Sequence, residues 1–209
     1  MGFRLSMTTV PNLRSDGVAF ADSVRLLDQS PIRIVYIAAG NAPDLEALGS
    51  SAGIVVTSDV NKAKELDTLK PLDVLMFDSA IASKLDQAWV KQRYSHGMAI
   101  VGVNIALVNL AQMVADRDAA ESWATQSPPK GRFYSLLQLY VTGDNAADVA
   151  RFQKEYHPLI NADGSHTPME GVNSHLSISA RRAQVPISDP QLLSKTFHSI
   201  ESTIVVVAR

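Results

Sequence analysis

Residues 71–103 read PLDVLMFDSAIASKLDQAWVKQRYSHGMAIVGV. Asp73–Asp78 (DVLMFD) and Ala99–Val103 (AIVGV) are short apolar runs, and such runs suit strands buried on both faces. Between them a helix is expected from about Lys84 to Tyr94, with Leu85, Trp89 and Val90 on one face and Gly97 near its end. Strand, helix and strand in this order make a parallel pair joined by a crossover.

The same unit repeats upstream. Ile32–Ala39 (IRIVYIAA) lies between Pro31 and Gly40, and Ile54–Thr57 (IVVT) is a further short strand. Leu45, Leu48 and Gly49 between them mark a short helix with a glycine stop. Ser58 or Asp59 caps a helix over Val60–Leu69, which Pro71 ends. Downstream, Ile105–Val114 is apolar enough for a buried helix. Four alternations predict a three-layer α/β fold: a flavodoxin-like parallel sheet with helices on both faces.

This core is expected over residues 31–122. Residues 1–30 form an N-terminal segment with a short helix around Phe20–Asp28. Residues 123–209 form a C-terminal α+β extension packed on the same domain. Within the extension, Phe133–Thr142 (FYSLLQLYVT) is a long strand and Gly143-Asp144-Asn145 turns into a helix through about Tyr156. Residues 158–173 form a long loop, and a loop beyond about 12–15 residues is often functional. Leu176–Val185 reads as another strand. Asp189-Pro190 opens a helix carrying Leu193, Phe197, Ile200 and Ile204, although the last stretch, TIVVVA, is β-branched and equally suits a strand.

With 46% hydrophobic residues among 209, the chain has ample material for one sizeable core. A net charge of −2, with charges spread along the chain, lacks the basic footprint of a nucleic-acid binder. The absence of cysteine removes disulfides, thiolate nucleophiles and cysteine-held metals. The opening MGFRLSMTTVPN has no apolar run of about 7–15 residues, so it does not read as a signal peptide. No stretch approaches the roughly 20 apolar residues of a membrane span. A cytoplasmic location is expected.

Ligands of parallel α/β sheets sit beyond the carboxyl ends of the strands. The residues there are Gly40 and Asn41, Ser58 and Asp59, Asp78 and Ser79, and Asn104. Asn41, Ser58, Asp59, Asp78, Ser79 and Asn104 are therefore the candidate ligand-binding residues; Asp78, Asn104 and His157 are the candidates for catalysis. The competing reading is that Ser, Asp and Asn here cap the next helices. No G-x-G-x-x-G, no G-x-x-x-x-G-K-[ST] and no G-x-S-x-G occurs.

The stretch Ile100-Val-Gly-Val-Asn104-Ile-Ala-Leu107-Val-Asn-Leu-Ala111 resembles the nucleophile-elbow segment of class I glutamine amidotransferase-like domains. The preceding Trp89–Met98 (WVKQRYSHGM) is similar to that family as well, and the resemblance covers about residues 32–114. Gly102 fits the pattern, Asn104 stands where the family has its cysteine, and Ala106 replaces the second glycine. Tyr156-His157-Pro158 is similar to the family's histidine–proline step, with Leu159 where a glutamate would follow. The resemblance implies a non-catalytic member, since a carboxamide supplies no thiolate.

Pro71–Asp78 also resembles the phospho-acceptor strand of response-regulator receiver domains, which would make Asp78 the acceptor. The acidic pair that would hold Mg²⁺ after the first strand is replaced by Ala38-Ala39-Gly40. Asn104 stands where a Thr or Ser would end the fourth strand.

His157, His166 and His175 are spaced nine residues apart, with Asp163 and Glu170 nearby. A histidine–carboxylate zinc site and three solvated loop histidines are both compatible with this; solvated histidines are the expectation, and no metal or cofactor is assigned. His96, before Gly97, suits a helix C-terminus, where a cation is favoured. The aromatics Phe133, Tyr134 and Tyr140 lack basic interleaving and read as packing residues, and their strand could also pair across a homodimer interface. The residues together point to a domain that binds a small molecule or a protein. A hydrolase or transferase using Asp78, Asp59 and a loop histidine is the alternative, and a structural or assembly module the third reading.

Overall fold

The computed structural model describes residues 13–14, 19–40, 54–155, 158–169, 175–187, 195 and 198–200. In chain order the elements are β1 (Leu13–Arg14), α1 (Phe20–Gln29), β2 (Ile34–Ile37), β3 (Ile54–Thr57), α2 (Val60–Leu69), β4 (Val74–Asp78), α3 (Ser79–Ala82), α4 (Gln87–Ser95) and β5 (Ala99–Val103). They continue with α5 (Leu107–Val114), α6 (Arg117–Trp123), β6 (Phe133–Gly143), α7 (Ala146–Lys154) and β7 (Leu176–Pro186). The helix expected around Leu45–Gly49 and the C-terminal stretch TIVVVA lie outside the described residues, as does most of the helix expected after Asp189.

Local chemistry explains the boundaries. Asp59 caps α2, its carboxylate accepting from the Asn61 amide at 2.8 Å. The helix closes at Lys70, since the residue before Pro71 is disfavoured in helical backbone. The helix expected from about Lys84 to Tyr94 is α4, which begins three residues later, at Gln87, after the separate short α3. Asp86 accepts from the amides of Ala88 and Trp89 and so opens α4 at Gln87. Gly97 follows the end of α4 at φ +96°, a left-handed conformation that glycine adopts without steric cost.

The strands form one sheet in the order β1-β3-β2-β4-β5-β6-β7. Pairings from β1 through β5 are parallel, whereas β5–β6 and β6–β7 are antiparallel. A wholly parallel flavodoxin-like sheet would continue with a parallel strand beside β5. Here the connection contains two helical passes, α5 and then α6, rather than one. The chain therefore returns to the carboxyl end of β5 before β6 starts, and the Asn104 amide donates to the Phe133 carbonyl at 2.9 Å. From there β6 can only run back down the sheet. It is paired on both sides, so the edges among the described strands are β1 and β7 rather than Phe133–Gly143.

The arrangement is a three-layer α/β fold. Side chains alternate across the sheet, so the inner strands feed two cores. Val35, Ile37, Leu75, Phe77, Ile100 and Leu137 join buried residues of α1–α7 on one face. Ile34, Tyr36, Met76, Val101 and Leu136 pack on the other with Ile200, from the helical residues 198–200. Full burial of one such side chain contributes about 1.5–3 kcal/mol. No helix of the described residues is long and apolar enough to cross a membrane.

Candidate functional site

The carboxyl ends of β2, β3, β4 and β5 form one rim. Asp78 ends β4, and its carboxylate accepts from the Tyr36 hydroxyl at 2.6 Å and from the Ala39 amide at 2.7 Å. Tyr36 is buried and belongs to β2, so the aspartate ties the ends of two neighbouring strands together. Ser79 is exposed and begins α3, while Asp59 is engaged as the cap of α2. Thr57 Oγ1 accepts from the Asp59 amide at 3.0 Å, which shapes the turn around the exposed Ser58. Asn41 and His157 lie outside the described residues.

Asn104 follows β5 with φ +56°, a left-handed conformation that asparagine tolerates better than most residues. Its Oδ1 accepts from the Phe133 amide at 3.2 Å. The turn is tight: a Cβ placed on Gly102 would meet the Ile105 Cβ at 2.9 Å. Asp78 pairs in register with Val103, which puts Asn104 on the strand neighbouring Asp78. Asp59 is two strands from Asp78, or about 10 Å at the usual strand spacing. Asp78 and Asn104 are thus neighbours, but each carboxylate or amide oxygen described is already used by a protein donor.

The loop histidines lie elsewhere. A helix joining two parallel strands starts near their carboxyl ends and finishes near their amino ends, so the last turn of α4 faces away from the rim. The segment 158–169 docks there, with the Leu159 amide donating to the Ser95 carbonyl at 2.6 Å. His166 faces Asp116 and Asp118 at 3.4 Å each, and His175 faces Asp144 at 3.6 Å on the surface. His166 therefore does not join Asp59 and Asp78. Among the described residues, no group of three or more His, Asp or Glu side chains is placed to hold a metal ion.

Asp116 is the polar centre that sequence reasoning missed. It is wholly buried, caps α6 through the Ala119 amide at 2.9 Å, and accepts from the Tyr94 hydroxyl at 2.6 Å. Burial, and then the negative Asp116, push the Tyr94 hydroxyl well above its ordinary value. Burial by itself would raise Asp116, but His166, the Tyr94 hydroxyl and the Ala119 amide together hold it below the ordinary carboxylate range. Arg182 of β7 approaches it at 4.0 Å. The sequence signal available was an aspartate before a helical segment, which announces a cap and nothing more.

Recesses among the described residues lie away from the rim. One, of about 590 Å³, is lined by Phe20, Lys64, Glu65 and Leu69. Another, of about 290 Å³, lies between α4 and the 158–169 segment, lined by Lys91, Gln92, Ser95, Ile160 and Asn161. Neither includes a rim residue. Comparison with protein-family models, with curated proteins and with solved structures finds no match.

Proposed function

We propose that this chain is a non-catalytic α/β domain that binds a small molecule or a protein partner at the carboxyl rim of its sheet. The observation that carries the reading is the state of Asn104. It occupies a sharp strand-to-helix turn of the kind that presents nucleophiles, yet offers a carboxamide whose oxygen is bonded to the Phe133 amide. The resemblance to glutamine amidotransferase-like domains agrees with this, since the cysteine position of that pattern is the one filled by Asn104. Asp78 adds support: it accepts from Tyr36 and Ala39, which is how a carboxylate acts when it holds a rim in shape.

The enzymatic alternative requires Asp78, Asp59 and a loop histidine to converge. His166, the described histidine of the 158–169 segment, is held at the α5–α6 corner instead.

The test is a thermal-shift screen of the full chain against a library of small polar metabolites, run beside turnover assays with L-glutamine and with p-nitrophenyl esters and phosphate. The proposal expects no turnover, together with either a metabolite that raises Tm or a protein captured reproducibly and lost on substitution at the rim. Measurable turnover with an empty binding screen overturns it.

A further inference from the structure

Four elements and one loop converge on the α5–α6 corner. Asp116 stands between α5 and α6, Asp118 and Arg117 are on α6, Tyr94 is on α4, Arg182 is on β7, and His166 comes from the 158–169 segment. A buried carboxylate is costly unless it is paired and hydrogen-bonded, and the imidazole is one of its partners. The His166 side chain is 22% exposed and lies between a wholly buried aspartate and one that is 41% exposed, each at 3.4 Å. The backbone of the same segment docks on the same corner: the Gly164 carbonyl accepts from the Arg117 amide at 3.0 Å. Gly164 fits there because it has no side chain; a Cβ would sit 2.6 Å from the Ala115 carbonyl oxygen.

We propose that His166 is a protonation-controlled latch, which fastens the 158–169 segment to the α5–α6 corner by bridging Asp116 and Asp118 as a cation. Histidine is the side chain whose ordinary charge change falls between pH 5 and 8. A cation placed between two carboxylates stabilises the docked form, so docking is favoured at the acid end of that range and weakened toward the alkaline end. Arg182 and Arg117 oppose the extra positive charge, whereas Asp116, Asp118 and the segment's own Asp163 favour it. The Asp116 carboxyl is held below the ordinary carboxylate range, so it keeps its charge throughout the range in which histidine changes charge. Because Ile160 and Asn161 form one wall of the recess against α4, the latch also controls the shape of that recess.

Amide hydrogen exchange of the full chain, read by mass spectrometry from pH 5 to pH 8 and corrected for intrinsic exchange, tests this. Protection of peptides covering 158–169 is expected to be lost progressively from pH 5 to pH 8, with peptides from β4 and β5 unchanged. His166→Gln should flatten the profile. Asp118→Asn, at the exposed end of the bridge, should reduce its amplitude without disturbing the buried carboxylate, and it serves as the reading if the histidine variant folds poorly. Protection independent of pH in the unsubstituted protein, or a profile that either variant leaves intact, overturns the proposal.

Discussion

Two described residues other than glycine carry positive φ, Asn104 and Ala115, both at 56°. The penalty for L-residues in that conformation is about 1–2 kcal/mol, and asparagine escapes part of it. Ala115→Gly is therefore expected to raise stability by about 1 kcal/mol, seen as a higher urea midpoint with an unchanged slope. Asn104→Gly should give no such gain, because it also removes the acceptor for the Phe133 amide. Tyr94→Phe leaves Asp116 one donor short and should cost about 1.5–3 kcal/mol, the range for a hydrogen bond to a charged group. At this scale the sequence is legible where chemistry is local. Asp59 is readable as a cap because the amide it serves is two residues away. Asp116 is opaque because Tyr94 and Arg182 lie far off along the chain and meet it only through the fold.

Among the elements, α2 was readable in full, since a cap, an apolar face and Pro71 all agree on its limits. The α6 helix was not foreseen. In RDAAESW only Ala119 is buried, with Ala120 and Trp123 packed at the edge of the core, too thin a stripe to announce a helix. That one omission hid the direction of β6, because an added helical pass reverses the strand that follows. A second device was equally silent: α5 has no side-chain cap of its own, and Gln184 of β7 accepts from the Leu107 amide at 3.0 Å. Asp59→Ala and Gln184→Ala should each lower stability by about 1 kcal/mol. The double variant should show the sum, since the two caps serve separate helices with no shared partner. Urea titrations of the four proteins check both the sizes and the additivity.

For the whole molecule, the two cores explain why the class was legible. Continuous apolar runs at β2, β3, β4 and β5 make sense only with both sheet faces covered, and burial is complete along these strands apart from Asp78 at the end of β4. The site was less legible, because the same residue types that cap helices also bind ligands, and only geometry shows which donors each oxygen already serves. Asp78 is the case in point. Under the proposed function it shapes a binding rim and performs no chemistry. Asp78→Asn, measured for stability and turnover together, tests that most directly. An amide can still accept from the Ala39 N–H and donate to the Tyr36 hydroxyl oxygen, but the Tyr36 O–H loses its acceptor and both hydrogen bonds lose the carboxylate charge. Stability should therefore fall by about 1–3 kcal/mol in urea, with no turnover of L-glutamine, p-nitrophenyl esters or phosphate by either protein. Turnover in the unsubstituted chain that Asp78→Asn abolishes, with the urea midpoint unmoved, would contradict the account.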